Sequence, residues 1–189
     1  MLLIRLPSFR RQLGAITRGA RVAVAALSLT AAAFVGLTNR EGWCNPACIP
    51  TAGDVPTVGF GSTTRDDGSP VKMGDTTTPV KALNRSFAYI QNAEAEMKAT
   101  LEGVELHQYE YDVYVDWRYQ FGGGAWRKSS MLRELKAGNY EAACNALLLY
   151  RYQAGRDCSK PENWGPRGCR GVWLEQQKRH QRCLGAEVG

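Results

Sequence analysis

Histidine is nearly absent from this chain. His107 and His180 are the only two in 189 residues. They are too few and too far apart in sequence to build a histidine metal centre. The cysteines do not suggest one either. Cys44 and Cys48 form a CxxxC pair, with no second matching pair or histidine cluster behind it, which disfavours a structural zinc site. No metal or other cofactor is therefore expected. Acidic residues are missing from the first 40 positions, which hold six arginines: Arg5, Arg10, Arg11, Arg18, Arg21 and Arg40. Setting those six aside from the 24 Lys and Arg leaves 18 basic residues against 18 acidic ones in residues 41–189. The net charge of +6 thus belongs to the N-terminus, and the body lacks the basic excess that a nucleic-acid surface requires. Repeats and low-complexity stretches are also missing.

One apolar stretch stands out. Residues 22–38 read VAVAALSLTAAAFVGLT, 17 positions without a charge, at the short limit for crossing a bilayer. Only Val22, Val24, Leu27, Leu29, Phe34, Val35 and Leu37 are strongly apolar; the others are alanines, Gly36, Ser28, Thr30 and Thr38. Such a span inserts weakly, and the arginines before it give it a positive-inside orientation. It can be a cleaved signal peptide, since TAAAF offers small residues to a peptidase. It can be a permanent anchor, which its weak hydrophobicity argues against. Or it can be an uncleaved export signal that later leaves the membrane. All six cysteines follow it, and an even number beyond an export signal points to disulfides in an oxidising compartment. Six cysteines admit many pairings. Cys158–Cys169 is expected to close a late loop and Cys144–Cys183 to join two helices. Cys44–Cys48 is the remaining pair, provided a local turn brings the two α-carbons within bonding range.

The body reads as α+β. Residues 57–63 (TVGFGST) suggest a short strand with glycines where backbones approach closely, and RDDGSP at 65–70 a turn. Thr78 and Pro79 then open a helix as N-cap and first turn, with Leu83, Phe87, Ile90, Met97 and Leu101 spaced to form its buried stripe. A second helix is predicted from about Leu106 to Phe121, ended by the glycine corner FGGGAW at 121–126. A short helix begins at Ser129 or Ser130 and stops at Gly138. NYEAACNALLLYRY forms another, a cysteine-bearing loop covers 154–168, and a last helix carries VWLEQQKRHQRCLG.

Several of these segments, in order, resemble the phage-type lysozymes, glycoside hydrolase family 24. EGWCNPACIPTAGDVPTVGFGST is similar to the opening of that family, a Glu-Gly followed by a run ending in Gly-Val-Pro-Thr-Ile-Gly-Tyr-Gly-His-Thr. LHQYEYDVYVDWRYQFGGGAW is similar to its central helix and glycine corner, and SSMLRELKAGNYEAAC to its STLLRKLNAGDYAGAC. The likeness covers about residues 39–184. It implies a small N-terminal β-hairpin lobe and a mainly helical C-terminal lobe, preceded by an N-terminal apolar helix. It also implies hydrolysis of the β-1,4 bond between N-acetylmuramic acid and N-acetylglucosamine in peptidoglycan. That chemistry needs an acid to protonate the leaving oxygen, and a second group to position water or stabilise the oxocarbenium-like transition state. By the resemblance, Glu41 is the acid and Thr57 holds the attacking water. Where the family carries Asp, or sometimes Cys, this chain has Pro50. One residue is inserted between Glu41 and Thr57, and counting back from Thr57 gives Thr51. Asp54 is the one carboxylate between Glu41 and Thr57. It is expected to fill the second role, with Cys48 and Thr51 as weaker candidates.

The resemblance divides the chain into an export or signal-anchor-release segment, residues 1–38, and a catalytic domain, residues 39–189. The family's catalytic Glu ends a short helix, here about Ala32–Glu41 with Gly42 to stop it. Most of that helix lies in the apolar stretch, and one stretch cannot sit in a bilayer and in an enzyme fold together. The expectation is a monomeric endolysin exported to the periplasm of a Gram-negative host. It would be tethered at first to the inner membrane, held inactive, and activated by release. A lytic transglycosylase acting on the same bond and a non-catalytic wall-binding module are the alternatives.

Overall fold

The computed structural model describes residues 20–50 and 53–186. Arg5, Arg10, Arg11, Arg18 and Thr51 lie outside the described residues. Among the described residues six helices and six short strands carry the fold; the helices are α1 (Ala31–Glu41), α2 (Pro79–Thr100), α3 (Gln108–Arg127), α4 (Ser130–Lys136), α5 (Tyr140–Ala146) and α6 (Arg170–Cys183). Six short strands, β1 (Val22–Ala23), β2 (Cys44–Cys48), β3 (Thr57–Gly59), β4 (Glu105–Leu106), β5 (Tyr152–Gln153) and β6 (Arg156–Asp157), form three antiparallel ribbons, β1–β4, β2–β3 and β5–β6.

Local chemistry sets the helix ends. The Thr78 hydroxyl accepts from the Lys81 N–H and Pro79 occupies the first turn of α2, as expected. Ser129 caps α4 in the same way through the Leu132 N–H. The Thr30 hydroxyl accepts from Ala33 at the start of α1, and Gly42, at φ 72°, ends that helix directly after Glu41. A left-handed φ at this position favours glycine.

The core forms where α2 and α3 cross. Ile90, Met97 and Leu101 meet Tyr111, Tyr114 and Trp117, and Met131, Leu135 and Leu147 close the far side. Each large side chain buried here contributes on the order of 1.5–3 kcal/mol. The stripe read for α2 needs correction at two positions. Leu83 and Phe87 are 37% and 51% exposed, because Ala82, Ser86, Ile90, Ala93 and Met97 form the inner face. Phe87 instead meets Phe34 of α1 edge to face, with centroids 5.9 Å apart. The glycine corner also differs from its reading. Gly122 (φ 82°, ψ 161°) kinks α3, and helix resumes through Arg127.

The apolar stretch 22–38 folds onto the body. It contributes β1, a single 3₁₀ turn at Val24–Ala26 and the greater part of α1, so a continuous apolar helix over 22–38 is not present. Among the described residues no helix is long and apolar enough to cross a membrane. Val24, Leu27 and Leu37 enter the main core. Polar contacts hold the segment as well. Arg21 pairs with Glu110, the Leu29 N–H donates to Glu94, and both the N–H and hydroxyl of Thr30 donate to Asp112.

The disulfides are Cys44–Cys48, Cys144–Cys183 and Cys158–Cys169, with α-carbons 5.6, 5.5 and 5.2 Å apart. All three pairings match the sequence expectation. They pin β2, join α5 to α6, and close the loop before α6.

Candidate active site

Glu41 is the last residue of α1 and opens into a cleft of about 480 Å³. The loop after β3 (Phe60–Thr64), α2 (Arg85, Ser86, Tyr89) and α3 (Tyr119, Gln120) form its walls. Solvent reaches the carboxylate along the open side. The walls strip part of its hydration, and this raises its pKa above the ordinary carboxylate range, opposed in part by the positive charge of Arg40. A carboxyl group in that condition can hold a proton to donate and still be reached by substrate. The wall of the cleft is shaped around it. Gly61 lies so close that a Cβ there would stand 2.7 Å from Glu41 Oε2. Gly59 fits the same hairpin against α2, where a Cβ would stand 2.6 Å from that of Ala82.

The other two residues named from the sequence are placed differently. Thr57 is buried at the start of β3, opposite Cys48, and its hydroxyl lies 3.5 Å from the Cys48 carbonyl oxygen. Asp54 is exposed on the segment leading into β3, its carboxylate accepting the Val55 N–H at 2.8 Å. Of the three, Glu41 alone lines the cleft. Cys48, a weaker candidate for the second role, is bonded to Cys44 and so offers no free thiolate.

Several cleft residues could not be singled out from sequence. Tyr119 stands edge to face with Tyr89 at 5.4 Å between centroids, and its phenol is pushed up by burial and by the charge of Glu41. Trp43 and Phe60 pair at 5.0 Å beside the same hairpin. Aromatic faces of this kind can stack on sugar rings. Ser86 is 4% exposed and lines the cleft, and its hydroxyl has no hydrogen-bond partner among the described residues. No group of His, Cys, Asp or Glu that could hold a metal occurs among the described residues.

A carboxylic acid at a helix end, facing a cleft between a β-hairpin and a helical lobe, defines a lysozyme-like architecture. Comparison with known proteins makes this specific. The phage lysozyme family model matches residues 38–161, and the chain belongs to that family. It is 34% identical to the endolysin of Salmonella phage P22 over 106 residues, 54% of this chain and 69% of that protein. Among solved structures it is similar to a mutant P22 lysozyme at TM-score 0.66 and 25% identity, covering 84% of this chain and 99% of that one. It also shares its fold with an endolysin from the Escherichia coli phage FAHEc1, at TM-score 0.70 and 22% identity, covering 87% and 98%. The chain is a peptidoglycan hydrolase of this family.

Proposed function

We propose that the chain is an exported endolysin, a muramidase that hydrolyses the β-1,4 bond between N-acetylmuramic acid and N-acetylglucosamine. The observation carrying this reading is Glu41. It is an accessible carboxyl in a sugar-sized cleft, raised by partial desolvation, with no hydrogen-bond partner fixing it in the ionised form among the described residues. Glu41 donates its proton to the glycosidic oxygen as the C1–O bond breaks. Asp54 takes the second carboxylate role, and Thr57 orients the water that attacks C1. The role of Thr57 rests on the family resemblance, and that of Asp54 on its being the one carboxylate between Glu41 and Thr57.

The same reading covers the N-terminal segment. A signal-anchor-release route has residues 22–38 leave the membrane and dock on the body. What supports retention over cleavage is how much the fold draws from this segment. Cutting near Ala32 or Phe34 would remove β1, the Val24 and Leu27 core contacts and the Thr30 cap of α1.

A zymogram on purified peptidoglycan tests the catalytic claim. Glu41→Gln cannot donate the proton, and its activity is expected to fall by about 10²-fold or more with the fold intact. Near-wild-type clearing by this variant would remove Glu41 from the site. Products carrying a 1,6-anhydro end would make the enzyme a transglycosylase. Wall binding without cleavage by the wild type would leave a binding module.

A further inference from the structure

The densest charge cluster in the described protein lies directly behind the acid. Arg40 and Glu41 are consecutive in the last turn of α1, so their side chains leave the helix about 100° apart. Glu41 faces the cleft and Arg40 faces the junction of α1, α3 and α6. There its guanidinium donates to Asp116 of α3 and, at 3.1 Å, to Glu175 of α6. The second oxygen of Asp116 accepts from Arg179 Nε at 2.9 Å and from Arg182 Nη2 at 3.4 Å. One carboxylate, 5% exposed, is therefore shared by three guanidinium groups.

As a stabilising device this cluster is a poor choice. Buried ion pairs seldom outperform apolar packing of the same volume. Arg179 is 1% exposed, its pKa is held down to about 10 by burial, and its Nη1 has no partner among the described residues. Arg182 Nε is unpartnered too. A functional account must therefore come from what the cluster does to its neighbour.

We propose that Asp116, with Glu175 as a second arm, is a positioning residue that holds the Arg40 guanidinium away from the Glu41 carboxylate and so keeps the acid able to carry its proton. The proposal rests on Glu41 being the general acid. The groups facing Glu41 are few. Arg40 adjoins it on α1, Arg85 and Tyr89 stand on α2, Tyr119 and Gln120 on α3, and Ser62 to Thr64 follow β3. Arg85 is engaged by Asp66, and the phenols and hydroxyls bring no positive charge. Arg40 is thus the cation whose position sets the potential at Glu41, and even in its present place it lowers the proton affinity of Glu41. Three arginines against two carboxylates leave the cluster one positive charge in excess. Neutralising Asp116 doubles that excess and frees Arg40 to turn toward the carboxylate one residue along the chain.

The test is the alkaline limb of the pH–activity profile on peptidoglycan, where activity falls as Glu41 loses its proton. Asp116→Asn is expected to move that limb down by about half a unit to one unit. Arg40→Met, which removes the cation, is expected to move it up. In the Arg40→Met background, Asp116→Asn should move it down by clearly less, because only the direct loss of the Asp116 charge then remains. A structural role alone would lower the melting temperature and turnover and leave the limb in place; that outcome overturns the proposal. Should Asp116→Asn fail to fold, the partly exposed Glu175→Gln gives a smaller downward shift, and its absence would be equally decisive. Glu41→Gln is the control that separates the two claims. If it retains turnover, the general-acid reading fails. If it is inactive while the limb stays fixed, only the positioning role fails.

Discussion

At the residue scale, the desolvation of Glu41 on which its proposed role as an acid depends acts against folding. The folded state binds the Glu41 proton more tightly than the unfolded chain does. Between the ordinary carboxylate value and the raised one, the native protein holds the extra proton. Stability contributed by this group therefore falls as pH rises through that window, and the cost is fully present above it. Glu41→Gln has no charge to desolvate. Its melting temperature at neutral pH is expected to equal or exceed that of the wild type, the difference vanishing in acid. Thermal scans across pH check this, and a variant clearly less stable at neutral pH would make the carboxylate a structural group. Gly61 belongs to the same trade. At φ 74° it takes a conformation that glycine adopts at little cost, and its missing side chain leaves room for the Glu41 carboxylate.

At the scale of elements, the β2–β3 hairpin decides whether Asp54 is chemical or conformational. Its carboxylate is exposed and among the described residues accepts only the Val55 N–H, so an amide in its place should disturb the fold little. Asp67 is the better control of the two turn aspartates, because Asp66 engages Arg85 at the cleft wall whereas Asp67 accepts the N–H and hydroxyl of Ser69. Asp54→Asn is expected to lose about tenfold or more in turnover, with an unchanged melting temperature and with Asp67→Asn near wild type. Equal activities would pass the second role to Thr51, the remaining candidate now that Cys48 is in a disulfide. The same element scale explains why α1 stops where it does. Gly42 ends the helix directly after Glu41, and the chain turns from there into β2.

At the scale of the whole molecule, the proposed signal-anchor-release route asks the N-terminal segment to satisfy two environments in turn. In the folded protein Val24, Leu27 and Leu37 are buried, while Ser28, Ala31, Ala32, Val35 and Gly36 face outward. The outward positions are where the span can be strengthened without disturbing the enzyme. A Cβ at Gly36 meets nothing within 4 Å, and Ser28 is exposed. Thr30 must be kept, since it caps α1 and bonds to Asp112. Gly36→Leu combined with Ser28→Leu is expected to shift the protein toward the membrane fraction and to delay lysis, while the purified, folded enzyme keeps its activity. Fractionation of infected cells and a lysis time course measure both. A mature periplasmic protein beginning near Ala32 or Phe34 by mass spectrometry would restore a plain cleaved signal.

The sequence by itself determined several helix caps, the α+β class and the family, and it favoured the three disulfide pairings among the many that six cysteines admit. Each of these is written in residues close together in the chain or in an ordered set of motifs. Thr78 and Pro79, Ser129, and Gly42 act over a turn of helix, so their signals survive in one dimension. Glu41 was legible for the same reason, as a carboxylate beside a glycine at the head of a recognisable run. The rest depended on contacts across distance. Leu83 and Phe87 fit the spacing of a core stripe, but they stay 37% and 51% exposed, and the small residues Ala82, Ser86 and Ala93 face inward instead, with Gly59 of the hairpin packed closely on Ala82. Tyr89, Ser86 and Gln120 become cleft residues only once α2 and α3 stand side by side. Asp116 lies 76 positions from Arg40, and Glu175 lies 135. No local pattern records that charges so far apart share one buried site, because only the packing of α1, α3 and α6 brings them together behind Glu41.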